Sequence, residues 1–225
     1  MTTRWAAASV LKSNPDLSLD NPDGPAVTVL VDPGLPLYEG IQLADVVLVQ
    51  SATDVRAALM ALMAADVLGF DTESKPTFTK GEVSTGPHLI QLATGDKAYL
   101  FPVAGSPALD GLRAILESPR VLKVGFGLGD DLRRLQTKLG IGCVNVLDLA
   151  IALRQGKRAD VGAKTAVARF FGRRMQKSKK TTTTNWSNPR LTERQMLYAA
   201  DDAQVALRVY HAWRQAGATV PAGEF

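Results

Sequence analysis

Hydrophobic and polar positions divide the chain into a short aperiodic start and a long patterned body. Residues 1 to about 45 are rich in Pro, Asp, Asn and Gly around one apolar piece, Val27–Val31, and read as an irregular arm. Ser51-Ala-Thr-Asp54 has capping-box spacing ahead of a helical period. A helix is predicted from about Thr53 to Ala65, with Val55, Leu59, Leu62 and Met63 inward. Three strand-like runs follow: Val67–Thr72, His88–Ala93 and Ala98–Phe101. The last two are joined by the tight-turn signal Thr94-Gly-Asp-Lys97, so the three read as an antiparallel meander. Strands then alternate with helices: helix 108–117, strand 121–124, helix 128–139, strand 144–147, helices 149–154 and 163–171. Residues 176–189 form a basic, Thr-rich loop. The last helix has the clearest start, a Thr192-Glu-Arg-Gln195 capping box with Leu191 and Met196 as hydrophobic staple, and extends to about Gln215.

The order of these elements predicts an α/β fold. Its mixed five-stranded sheet has a meander of strands 1–3, then parallel strands, and is flanked by helices. The expected organisation is an arm over 1–45, one domain over 46–217 and a tail over 218–225. An apolar content of 46% and a mean hydropathy of 0.00 suit a soluble domain with a sizeable core. No run is long enough to span a membrane and the start lacks an apolar leader core, so a cytoplasmic location without membrane attachment is expected. One cysteine, Cys143, excludes a disulfide framework, and two histidines, His88 and His211, leave little room for His-based chemistry. Charge is uneven: acidic residues lead in 1–50. By contrast, 154–180 carries ten Lys and Arg against Asp160 alone, which points to a polyanion partner.

Carboxylates change the picture most. Asp71 and Glu73 end the first strand, two residues apart and hence on one face. Two readings are open for them: solvated loop carboxylates, or a metal site whose cation reverses the local repulsion. On the last helix Tyr198 and Asp202 lie four apart on an inward stripe continued by Val205 and Val209. Asp201 lines up instead with Arg194 and Arg208 on a face read as solvated. In the helix after Val124-Gly-Phe-Gly-Leu-Gly129, Asp131 lies between Leu128 and Leu135 and faces inward, while Asp130 lies toward Arg133 and Arg134. The glycines here invite a dinucleotide reading, but Asp130 stands where the third fingerprint glycine belongs, and aspartates at a helix start repel a pyrophosphate. Asp71, Glu73, Asp131 and Asp202 form an all-oxygen donor set suited to Mg²⁺ or Mn²⁺, with enough carboxylates for two ions.

Three motifs in order then resemble the DEDDy class of 3′–5′ exonucleases in the ribonuclease-H-like superfamily, the group of ribonuclease D and the Werner exonuclease domain. They are Phe70-Asp-Thr-Glu73 with Pro76; Lys123-Val-Gly-Phe-Gly-Leu-Gly-Asp-Asp131; and Asn185-Trp-Ser with Leu191-Thr-Glu and Tyr198-Ala-Ala-Asp-Asp202. The resemblance covers about residues 51–215. It implies a ribonuclease H-like fold and two metal ions held by Asp71, Glu73, Asp131 and Asp202. Tyr198 would position the attacking water, and 5′-mononucleotides would leave a DNA or RNA 3′ end. It further implies phosphate contacts by Lys75, Arg173, Arg174, Lys177, Lys179 and Lys180, and base stacking by Phe78 or Trp186, with a packing role an equal reading of Trp186. Two alternatives stay open: an RNA-trimming, ribonuclease D-like enzyme, and an inactive nucleic-acid-binding module on the same fold. The arm before residue 50 is not explained by the resemblance, and oligomeric state is not legible.

Overall fold

A computed structural model describes residues 33–77, 81–154 and 159–217, without the Lys179 side chain. The tail 218–225, Phe78, Lys157 and Arg158 lie outside the described residues, as do residues 1–32 of the expected arm.

Six strands form one mixed sheet: β1 (Val46–Leu48), β2 (Val67–Glu73), β3 (Leu89–Ala93), β4 (Ala98–Pro102), β5 (Leu122–Gly125) and β6 (Val146–Asp148). Their spatial order is β1-β4-β3-β2-β5-β6. β2, β3 and β4 pair antiparallel, while β5 joins β2 and β6 joins β5 in parallel. The expected meander followed by parallel strands is therefore present. The sheet has six strands rather than five because Val46–Leu48 adds a parallel edge strand on β4. Three half-buried residues at an edge are too few to show a period. The last strand begins at Val146 rather than Val144, because Asn145 adopts φ 51°, a left-handed conformation that breaks an extended run.

The helices are α1 (Ala52–Met63), α2 (Leu109–Leu116), α3 (Gly129–Arg134), α4 (Leu149–Ala152), α5 (Ala163–Phe171), α6 (Lys179–Thr182) and α7 (Glu193–Gln215). Both predicted capping boxes form, at Ser51 and at Thr192. α3 continues as a π-helical turn over Leu135–Leu139 and stops at Gly140. Met63 is exposed, not inward; Ala58 and Leu62 supply the buried contacts of α1. The segment expected to be wholly loop contains α6.

The sheet separates two cores. On one side Leu68, Phe70, Ile90, Leu92, Tyr99 and Phe101 pack with Ala58, Leu62, Leu112 and Ile115 of α1 and α2. On the other, α7 crosses β2, β3, β4 and β5. Its Ala199, Ala200 and Ala203 meet Leu89, Ala93 and Leu100. The approach is closest at Gly69, where a Cβ would stand 2.0 Å from the Ala203 carbonyl oxygen. Small residues on both elements thus seat α7 directly over β2, which places its polar residues beside the strand's C-terminal end. Among the described residues no helix is long and apolar enough to cross a membrane.

Candidate active site

Alternation along β2 sets the site. Leu68 and Phe70 enter the α1–α2 core, so Gly69, Asp71 and Glu73 face α7. α7 answers with Asp202, which is 8% exposed. One carboxylate oxygen each from Asp71, Glu73 and Asp202 lie within 4.8 Å of one another. Such crowding is costly in the ionised form. Burial, then Asp202 and Asp131, hold the Asp71 carboxyl well above the usual carboxylate range. Burial, then Asp71 and Asp202, push Glu73 up to about 9. Burial also raises Asp202, against the opposing pull of Lys177.

The cluster contains one cation of its own. The Lys177 ammonium lies 2.6 Å from Asp202 Oδ1. Burial pulls the lysine down, but Asp202, Tyr198 and Asp71 outweigh it and hold the ammonium charged. Lys177, one of the residues expected to meet substrate phosphates, sits inside the carboxylate site. Three oxygen donors this close together, one buried and two half-buried, needing positive charge, fit a divalent ion.

Asp131 approaches from α3 and stands outside the tight trio. Its Oδ1 accepts from Thr72 Oγ1 at 2.5 Å, and Arg134 Nη1 lies 4.0 Å away. Burial raises it, while Thr72 and Arg134 pull the other way. The start of α3 is fastened by Asp148, which accepts from the Gly127 and Leu128 amides at 2.8 and 2.9 Å. Thr72 and Asp148 were missed from sequence; only their positions, between two inferred ligands and at the end of a strand, hinted at them. Asp130 is exposed and paired with Arg133 at 2.6 Å, as its helix face requires.

Tyr198 stands one turn before Asp202. Its hydroxyl is 2.9 Å from Thr182 Oγ1, and its ring is 6.0 Å from that of Trp186. Burial, then Asp202, push the phenol up to about 12. Asp201 corrects an expectation. It is not solvated: its Oδ1 accepts from the Ile41 amide at 2.8 Å, and burial raises it. Arg208, on the same face, donates to Tyr38 Oη at 2.9 Å and to the Glu39 carbonyl at 3.2 Å. Residues 37–41 therefore cover this side of α7, with Leu37 bridging to Arg174 and Tyr38 stacked on Phe171.

The remaining predicted contacts divide. Trp186 is 2% exposed, so its ring is covered by protein and is not offered to a base. Lys75 and Lys180 are exposed, and the Lys75 amide donates to His88 Nδ1 at 3.0 Å. Arg173 is exposed, and Arg174 lines an open groove of about 510 Å³ with Lys164, Met175, Gln176, Lys177 and Ser178. The groove adjoins the carboxylates through Lys177 and carries cations fit for a phosphate backbone.

A family model described as 3′-5′ exonuclease matches residues 46–216. The chain belongs to this exonuclease family. The exonuclease domain is 32% identical over 155 residues to the bifunctional 3′-5′ exonuclease/ATP-dependent helicase WRN of Mus musculus, covering 67% of this chain and 11% of that protein. It thus spans about a tenth of that relative. It superimposes on the Nibbler EXO domain of Aedes aegypti with a TM-score of 0.68 and 26% identity, over 80% of this chain and 93% of the other. It also shares its fold with ribonuclease D of Trypanosoma brucei, solved in complex with RNA U12 (TM-score 0.64, 19% identity, 74% and 61% coverage). These likenesses place the exonuclease domain in the ribonuclease H-like class expected from its motifs.

Proposed function

We propose that the chain removes 5′-mononucleotides from the 3′ end of a nucleic acid strand, with two divalent ions held by Asp71, Glu73, Asp131 and Asp202. The observation that carries the reading is the close Asp71–Glu73–Asp202 trio, Asp202 buried and the other two half-buried, with Tyr198 one turn away on α7. The ions, Mg²⁺ or Mn²⁺, would supply an activated water and neutralise charge developing on the phosphate. Asp71, Glu73 and Asp202 would hold them on a rigid strand and helix. Asp131, set apart and held by Thr72, would complete the set from α3. The Tyr198 hydroxyl would orient the attacking water; a phenol near 12 stays protonated at neutral pH and serves by position rather than as a base. Lys177 would move its charge from Asp202 to the substrate phosphate. Arg174 and Lys164 in the adjoining groove, with exposed Arg173, Lys75 and Lys180, would meet the strand's other phosphates. In this reading the exonuclease domain spans 46–217.

The test uses 3′- and 5′-labelled single-stranded DNA, recessed duplex and RNA, each with Mg²⁺, Mn²⁺ or EDTA. The expected result is a ladder shortening from the 3′ end, abolished by EDTA. Activity that survives chelation would sink the metal reading. Binding without cleavage in either metal would make the chain a nucleic-acid-binding module. The relative rates on RNA and DNA decide between an RNA-trimming and a DNA-directed enzyme.

A further inference from the structure

The Thr-rich run after the basic segment has no place in the reading so far. Thr181–Thr184 ends α6 and is tied to α7 at several points. Gln195 Nε2 donates to Thr184 Oγ1 at 3.2 Å, and Arg194 Nη2 donates to Ser178 Oγ at 2.6 Å. Trp186 Nε1 donates to the Thr182 carbonyl at 3.4 Å, and Thr181 is buried. These contacts hold one exposed side chain, Thr182, against the active site: its hydroxyl lies 2.9 Å from the Tyr198 hydroxyl.

We infer that Thr182 is a positioning residue that sets the direction of the Tyr198 O–H. The argument is one of donor counting. A threonine hydroxyl has one hydrogen. Thr182 Oγ1 has two acceptors for it, the Tyr198 oxygen at 2.9 Å and the Ser178 carbonyl at 3.2 Å, and the shorter contact takes it. Donated to the phenol oxygen, it pulls the phenol's pKa down, against the burial that raises it. The phenolic hydrogen is then left for the Asp202 carboxylate, which Tyr198 in turn pulls down. One lone pair of the Tyr198 oxygen stays open, and in that orientation it accepts a hydrogen from the attacking water and steers the water's own lone pair to the phosphate. Without Thr182 the phenol loses the contact that fixes its rotation. The open lone pair is then no longer held toward the water.

The inference rests on the exonuclease reading, and the test separates the two. Thr182→Val, Thr182→Ser, Tyr198→Phe and the double variant Thr182→Val/Tyr198→Phe are assayed as full chains on a labelled substrate with Mg²⁺. Their thermal unfolding is measured alongside. Thr182→Val keeps the shape and removes the hydroxyl; kcat should fall about tenfold, the scale of one hydrogen bond lost from the transition state, with KM changed by less than about twofold. Thr182→Ser should recover kcat to within about twofold. In the Tyr198→Phe background, Thr182→Val should cause no further loss, since it acts only through the phenol. A Val variant equal to wild type, or a tenfold Val effect that persists in the Phe background, would overturn the role of Thr182 while leaving the exonuclease reading intact. A wild-type chain without activity would remove both.

Discussion

The two faces of β2 are made from the same seven residues and serve opposed ends. On one face Leu68 and Phe70 are fully buried among α1 and α2, where the one charged neighbour, the buried Lys123 beside Leu68, donates to the Ser118 carbonyl at 2.9 Å. On the other, Gly69, Asp71 and Glu73 meet α7, and two of the three are carboxylates whose ionised forms burial disfavours. The first face is where the domain gains stability. The second lowers stability in exchange for a site that attracts cations. The contrast teaches that alternation along a strand can keep a strained charged cluster within one residue of a dry core. The core then holds the cluster in place.

The largest expected effects test this opposition directly. Asp71→Asn should lower exonuclease activity by about 10³-fold or more, as loss of a metal ligand in a preorganised site does. The same change should raise the midpoint of thermal unfolding in EDTA, because it removes a carboxyl whose ionisation the crowded cluster opposes. Loss of both activity and stability would mean that Asp71 is a structural residue. Phe70→Ala, one position away, should do the reverse. It should lower stability by about 3–5 kcal/mol by emptying a filled core. Any folded fraction should keep its divalent-ion affinity, as read by calorimetry.

The third prediction concerns pH. Glu73 titrates near 9 in the folded chain against an ordinary value of 4.5. A carboxyl raised in the folded state contributes most to stability below its unfolded value. That contribution is lost as pH rises through the window up to its folded value. Glu73→Gln in EDTA should therefore leave stability nearly unchanged at pH 4. At pH 8 it should raise stability by about 2 kcal/mol, reduced from the full linkage by coupling to Asp71 and Lys177. Saturating Mg²⁺ should reverse the order, stabilising the wild type more than the variant. A gain from Glu73→Gln that is equal at both pH values would show that repulsion is not its source.

Much of this arrangement was legible in the residue pattern, for reasons of geometry. A period of two puts Asp71 and Glu73 on one face, and a period near four puts Tyr198 above Asp202 on the stripe of Val205 and Val209. Both hold because they depend on local backbone alone. What was not legible depends on contacts from distant segments. Lys177 belonged to a run of similar basic residues, and nothing local marked it as the one that reaches Asp202. Trp186 offered a large aromatic surface, but its burial comes from packing against α7. The edge strand Val46–Leu48 exists because β4 has a free side for it. Asp201 is the sharpest case. Its helix face was read rightly as pointing away from the α7 stripe, yet residues 37–41 close over that face from outside.

The two adjacent-aspartate pairs therefore make the finest test. Asp130 and Asp201 each sit beside an inferred metal ligand and each face away from it, but only Asp201 is covered. Asp130→Ala removes exposed ion pairs to Arg133 and Arg134 and should change stability by less than about 0.5 kcal/mol. Asp201→Ala leaves the Ile41 amide without its acceptor in a half-buried setting. It should cost about 1–2 kcal/mol and speed hydrogen exchange at Ile41. Neither change should lower exonuclease activity more than a few-fold, because Asp131 and Asp202 keep their own fastenings, through Thr72 and Lys177. Equal stability costs at the two positions would show that the cover over Asp201 contributes nothing. A severe loss of activity at Asp201 alone would instead make residues 37–41 part of what holds Asp202 in the site.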